Sequence, residues 1–353
     1  MIKRYDFKGK PGEIGVQHGE TLKDEIESLY SKLMQVYTAN EPTSNESSII
    51  GAASRHIDMT KKYAPDLIEE IDGIAAGAGL PFEKVFFMNC YDELSHYKNR
   101  KEQVNGCTSF LACGLATADN RTYLGQGWDM SEFFKPVIIS INSMAYFGEK
   151  PKSIFLTHPG IVGGAGINEY GLALIWNTVK ALDEKPGVPV TLLIRKVLDG
   201  KNLNDALKTL LNTPRASGFN YMVGNEYGGF NIEATGTREQ ITYVTAIHSH
   251  ANHYEDEVLR LDENKPPDKK ANSYIRSGRM RQLLENYFGK IDLDICKNIL
   301  CDHANYPLGI CRHLVEGETD SLTQSALIFI PEEKLMLASD GPPCNAGYEI
   351  YSL

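Results

Sequence analysis

Residues 105–110 read Asn-Gly-Cys-Thr-Ser-Phe: a cysteine with glycine directly before it, and before that a polar, charged segment, Asn99–Asn105. Glycine lets another group approach its carbonyl closely. The sulfur of Cys107 could attack the Gly106 carbonyl and draw the acyl group from nitrogen to sulfur. Hydrolysis of that thioester would leave Cys107 as a new N-terminus. An α-amino group, with a reference pKa of about 7.7–8.0, can then act as general base for the thiol of its own residue. Such a nucleophile needs no histidine. The same tripeptide also suits a small buried cysteine at a strand start, and a further reading pairs Cys107 with one of the nine histidines, without cleavage.

Other residues could complete such a centre. Asp129 comes 22 residues after Cys107, at the end of the next expected strand. A hairpin would return it beside Cys107, where a carboxylate could hold the new amine and the thiol in register; the bland reading is a strand-end aspartate capping a turn. Asn252, within His250-Ala251-Asn252-His253, has the side-chain amide that can stabilise a tetrahedral oxyanion. A backbone amide near Asn177 could supply a second donor, although an asparagine at a strand end is commonly a turn residue. Arg312 could order the site or bind a carboxylate, or lie on the surface. His248, His250 and His253 cluster, but no carboxylate at a convincing spacing completes a metal site.

The elements that must position these residues change character near Cys107. Upstream the pattern is helical. Thr21 with Asp24 suggests a capping box, followed by Leu22, Ile26, Leu29, Leu33 and Tyr37 at helical spacing. Pro65 opens a second helix that Gly79 closes, and Phe82–Leu94 reads as a third. Asn99–Asn105 reads as an exposed loop. Downstream come short strands: Cys107–Thr117, Thr122–Trp128, Val137–Tyr146, Ser153–Thr157, Gly171–Asn177, Tyr221–Val223, Ile241–Ala246, Ala326–Ile330 and Leu335–Ala338. Helical patches at Val190–Leu198 with Leu203–Leu211, and at Tyr274–Tyr287 with Ile291–Leu300, interrupt them. Grouped helices and strands predict an α+β arrangement of packed layers. Asp262–Lys270, with Pro266-Pro267, reads as a charged surface loop.

Gly106-Cys107-Thr108-Ser109-Phe110 followed by Gly125-Gln126-Gly127-Trp128-Asp129 resembles the acyl-coenzyme A:6-aminopenicillanate acyltransferase family of N-terminal-nucleophile hydrolases. The resemblance extends upstream to Glu70–Leu80 and Asn89–Leu94, which look like the family's helical pro-segment. Downstream it takes in Gly166–Leu172 through Asn177, then 250–253, 310–313 and Asp340-Gly341-Pro342-Pro343. It implies a four-layer αββα sandwich of two antiparallel sheets in a single domain made as a precursor. Residues 1–106 would become an α chain and 107–353 a β chain, with cleavage between Gly106 and Cys107. It also implies Cys107, Asp129, Asn252, Asn177 and Arg312 as the catalytic set, no cofactor and no metal. The substrate would be a small acylated amine, amino acid or acyl-thioester, with amide hydrolysis favoured over penicillin synthesis. There are departures. Gly127 stands where the family often has asparagine, and Gln126 where the more distant cholylglycine hydrolases have arginine, which speaks against bile-salt or penicillin V hydrolysis. They also leave open an unprocessed relative that binds a ligand or partner without catalysis.

Bulk composition narrows the partners. The 353 residues, 42 % hydrophobic and 23 % charged, can bury a sizeable core. A net charge of −10 gives no reason to expect nucleic acid or an anionic membrane. No window reaches the run of about 20 apolar residues that spans a bilayer. Seven cysteines, an odd number without Cys-x-x-Cys spacing, and a start lacking a secretory signal make the cytoplasm the expected home. The two chains are expected to stay associated, and a homo-oligomer is compatible with the sequence.

Overall fold

The computed structural model describes residues 1–39, 45–94, 106–145, 148–264 and 270–353. The loop read at Asn99–Asn105 lies outside the described residues, as do Tyr146 and positions 265–269 of the charged loop.

Two sheets stack face to face. The larger runs in the order β1 (Arg4–Gly9), β4 (Val137–Ala145), β6 (Ser153–Thr157), β7 (Ala165–Asn168), β8 (Ala173–Thr178), β9 (Phe219–Asn225), β10 (Gly228–Ala234) and β11 (Glu239–Val244), with β5 (Gly148–Glu149) hung on β4. The smaller runs β12 (Ile247–His250), β2 (Gly106–Ala112), β3 (Tyr123–Ser131), β13 (Ser321–Ile330), β14 (Leu335–Ala338) and β15 (Glu349–Ser352). Pairing is antiparallel throughout, except that β1 lies parallel to β4. That edge departs from the expectation of purely antiparallel sheets. The long connection between β1 and β4, which carries the helices between Pro11 and Leu94 and the β2–β3 hairpin of the other sheet, removes the hairpin constraint that would make them antiparallel.

Helices cover both outer faces. On the larger sheet lie α1 (Pro11–Thr21), α2 (Lys23–Ala39), α3 (Glu46–Ser54), α4 (Ile57–Tyr63), α5 (Pro65–Ala78), α6 (Phe82–Asn89), α7 (Tyr91–Leu94), α8 (Val190–Val197) and α9 (Leu203–Asn212). On the smaller lie α10 (Ala271–Asn286) and α11 (Leu293–Leu300), with α12 (Pro343–Ala346) near the chain end. The result is the expected helix–sheet–sheet–helix sandwich. One apolar core joins the first helical layer to the facing sides of the sheets, and a second fills the space between β2, β3, β13, α10 and α11.

Most helices follow their periodicity. Ile26, Leu29, Leu33 and Tyr37 are buried along α2, and Gly79 ends α5 in a left-handed conformation at φ +72°. Thr21 is not a cap; it is the last residue of α1, a helix that the sequence pattern does not announce. The reason is its glycine content. A Cβ on Gly15 would stand 2.0 Å from the Glu70 carbonyl oxygen, and one on Gly73 2.3 Å from that of Gly12. The backbones of α1 and α5 touch, which only glycine permits. Strands β1, β5, β10 and β15 are likewise not among the expected strands, being short or glycine-bearing.

Candidate active site

Cys107 is the second residue of β2, and its neighbours follow from the ladder with β3. Gly106 pairs with Asp129, and Cys107 with Trp128. Side chains alternate along a strand, so Cys107 and Ser109 face the larger sheet while Thr108 and Phe110 face α10 and α11. Asp129 shares the helix-side face. Its Oδ1 accepts a hydrogen bond from Thr323 Oγ1 at 2.7 Å, and its Oδ2 lies 3.5 Å from Arg312 Nε. The β3–β13 register shifts between Thr323 and Ser325, a local irregularity of the kind found beside functional sites.

Two guanidinium groups close over this peptide. Arg312 is fully buried. It donates to Ser321 Oγ at 3.0 Å and to Asn272 Oδ1 at 2.8 Å, while its backbone N–H donates to Thr323 Oγ1. Arg276, on α10, donates to the Cys107 carbonyl oxygen at 2.7 Å, Thr108 Oγ1 at 2.6 Å, Asn252 Oδ1 at 2.9 Å and Asn272 Oδ1 at 2.8 Å. Sequence reading missed Arg276. Its signal was present, because the buried positions of α10 are 273, 276, 277, 280 and 284, a helical stripe that places an arginine in the core.

Asn252 holds the Cys107 nitrogen. Its Oδ1 accepts from the Cys107 backbone N–H at 2.8 Å, and its Nδ2 donates to the Thr178 carbonyl at 3.1 Å. Two donors on one end and a carbonyl on the other fix the orientation of the amide. The loop is tied down around it. Asn252 N–H donates to Ser273 Oγ, which also lies 2.8 Å from His253 Nδ1. His250 Nε2 lies 2.8 Å from Glu233 Oε1, and Glu233 also accepts the backbone N–H groups of Glu255 and Asp256. Both histidines are thus occupied. Among the described residues no histidine nitrogen bonds Cys107.

Asn177 lies one pleat deeper, where β8 faces β2. Its Oδ1 accepts from Ser109 Oγ at 3.1 Å and from Asn220 Nδ2 at 3.2 Å, and its buried Nδ2 has no partner among the described residues. Gln126 donates from Nε2 to Ser109 Oγ and to the Trp176 carbonyl, tying the sheets together. Cys107, Asp129, Asn252 and Arg312 therefore meet around one peptide, and Asn177 reaches it through Ser109.

Electrostatics follow from burial. Desolvation, then the Asp129 carboxylate, raise the Cys107 thiol well above its ordinary range, with Arg276 opposing. Burial also raises Asp129, against the pull of Arg312, Arg276 and Thr323. Desolvation and then Arg312 bring Arg276 down to about 10, so it stays charged at neutral pH. The histidines at 248, 250 and 253 do not gather as ligands. Among the described residues, His303, Cys311, His313 and Cys344 form a set that could hold a metal, outside this centre and at positions the sequence reading did not group.

Residues 116–342 match the family described as acyl-coenzyme A:6-aminopenicillanic acid acyl-transferase. A relative in Emericella nidulans, the acyl-coenzyme A:6-aminopenicillanic-acid-acyltransferase 40 kDa form, is 27 % identical over 332 residues, covering 91 % of this chain and 88 % of its own. The protein dcd1A of Dictyostelium discoideum is 20 % identical over 262 residues, 61 % of this chain and 54 % of its own. Among solved structures, a variant of the conjugated bile acid hydrolase from Clostridium perfringens superimposes with a TM-score of 0.51 at 14 % identity, covering 70 % of this chain and 92 % of that one. That likeness is one of fold.

Proposed function

The chain belongs to the acyl-coenzyme A:6-aminopenicillanic acid acyl-transferase family of C–N hydrolases and acyltransferases, with the N-terminal-nucleophile hydrolase fold, and from that premise we propose that it cuts itself before Cys107 and then uses Cys107 as its nucleophile. In the first step the Cys107 sulfur bonds to the Gly106 carbonyl carbon. The Gly106–Cys107 C–N bond breaks, and the nitrogen takes up the thiol proton. Water then releases Gly106 as a carboxylate and restores the thiol. The freed α-amine is the general base for later turnovers. The observation that carries this reading is the convergence on one peptide: Asn252 on the Cys107 nitrogen, Arg276 on the Cys107 carbonyl, and both guanidinium groups against Gly106.

In this reading Asn252 Oδ1 is the acceptor that would hold the amine after cleavage. The Asn252 amide expected for the oxyanion commits its Nδ2 to the Thr178 carbonyl, so Asn177 Nδ2, the unspent donor on the inter-sheet face, takes that role in this reading. Asp129 and Arg312 position Gly106 from the helix side. Residues 1–106 would form the α chain and 107–353 the β chain. They would stay together because α1–α7 share one apolar core with the larger sheet.

A Cβ on Gly106 would stand 3.0 Å from Arg276 Nη2 and 3.2 Å from Arg312 Nη2. Both groups are held by several bonds and have little freedom to retreat. Gly106→Ala is therefore expected to slow cleavage about tenfold or more, since small misplacements of a reacting carbonyl are costly. The ratio of precursor to product on a gel over time reads this directly.

The mature enzyme would attack the carbonyl of a small acyl-amide or acyl-thioester and form a thioester acyl-enzyme. Water would complete hydrolysis and an amine would complete transfer. Its partners would be these small acylated amines, amino acids or acyl-thioesters. Among the described residues no helix is long and apolar enough to cross a membrane. A panel of N-acyl amines, N-acyl amino acids and acyl-coenzyme A esters should reveal turnover that disappears in Cys107→Ala. A panel without any Cys107-dependent product would overturn the assignment.

A further inference from the structure

Beyond the small sheet, four side chains from three segments converge. His303 follows α11, Cys311 and His313 stand either side of Arg312 ahead of β13, and Cys344 belongs to α12. One ligand atom from each lies within 4.8 Å of all the others. His303 Nε2 is 3.0 Å from His313 Nε2, which is 3.5 Å from Cys311 Sγ and 3.4 Å from Cys344 Sγ; the two sulfurs are 3.6 Å apart.

These separations are those of a coordination shell. With Zn–S of about 2.3 Å and Zn–N of about 2.0–2.1 Å, a tetrahedron has edges of roughly 3.8 Å between sulfurs, 3.5 Å from sulfur to nitrogen and 3.3 Å between nitrogens. The four distances above agree to within a few tenths of an ångström, and the two from His303 to the sulfurs lie within 4.8 Å. A disulfide, by contrast, needs its sulfurs at about 2.05 Å. We propose that His303, Cys311, His313 and Cys344 form a structural zinc site.

The donor set selects the metal. Two sulfurs and two imidazoles suit zinc, whereas calcium and magnesium require oxygen. Four protein ligands leave no open position, so the site is structural. Zinc displaces the two thiol protons, and the resulting pair of thiolates neutralises its charge. The site clasps three segments, and Arg312 lies between two of the ligands. Metal binding would thereby fix, from the far side, the segment that presents this arginine to Asp129. That coupling rests on the active-site reading above; the binding of zinc does not.

The test uses the full chain, reduced, stripped with a chelator, reconstituted with zinc and desalted. One zinc per chain is expected by elemental analysis, and cobalt(II) in its place should give the intense visible bands of a tetrahedral thiolate site. Cys344 and His303 are exposed, so Cys344→Ser and His303→Gln should fold normally and bind zinc at least about 100-fold more weakly. Cys301→Ser, which alters a nearby cysteine outside the set, should keep its zinc. A wild type that retains no zinc, a Cys344→Ser variant that retains as much as wild type, or cobalt spectra of an octahedral oxygen site would each overturn the proposal. Zinc without acyl-substrate turnover would leave the metal site standing and count only against the enzymatic reading.

Discussion

Cys107→Ala is expected to remain a single chain of 39.3 kDa, while the wild type resolves into the 106 residues before Cys107 and the 247 from Cys107 onward. By proportion these fragments are about 12 and 27 kDa. Intact mass with N-terminal sequencing decides it, since the larger fragment must begin Cys-Thr-Ser-Phe. Turnover of acyl substrates should fall by about 10⁴ or more in the variant, as it does when a covalent nucleophile is removed. The same chemistry sets a pH dependence with a definite sign. Burial and Asp129 hold the Cys107 thiol well above its ordinary value. Below a raised pKa the thiolate fraction grows about tenfold per pH unit. Precursor cleavage should therefore accelerate by about that factor per unit between roughly pH 6 and pH 9. A wild type that stays whole through prolonged incubation would refute self-processing, and cleavage that ignores pH would refute attack by the thiolate.

Arg276→Met carries the second large effect. The arginine is buried, yet its guanidinium donates to the Cys107 carbonyl, Thr108, Asn252 and Asn272. Removing it strands several acceptors inside the protein and leaves Asp129 facing Arg312 alone. Each lost charge-assisted bond is worth about 1.5–3 kcal/mol, so a drop of at least about 3 kcal/mol in unfolding free energy is expected. Loss of a preorganised cation beside the reacting peptide should slow cleavage by about 10²–10³. Arg276→Lys separates the two contributions. Lysine restores the charge but offers a point donor in place of the planar fork. Denaturant midpoints should recover in part while cleavage stays slow. Equal recovery of both would make Arg276 merely a structural cation, and normal cleavage in Arg276→Met would remove it from the site altogether.

Much of this architecture was legible from local pattern. Pro65 and Gly79 bracket α5 because their own backbone preferences begin and end helices. β6 and β14 were read with their ends intact because short apolar runs between turns have few other uses. Helix α1 escaped because its glycines, poor helix formers alone, make sense only against the backbone of α5.

What the sequence by itself determined is the candidate cleavage peptide and its hairpin partner. Gly106, Cys107 and Asp129 sit within one stretch of strand, turn and strand, where alternation and register follow from local geometry. Tertiary structure alone decided the rest. The bond from Arg276 to Cys107 spans 169 positions, and that from Asn252 spans 145. It also turned Asn252 so that its oxygen meets the Cys107 nitrogen, and it gathered His303, Cys311, His313 and Cys344 into one cluster. Periodicity reports which face of an element is buried. Which polar groups meet on those faces depends on how distant elements pack, and spacing along the chain does not encode that.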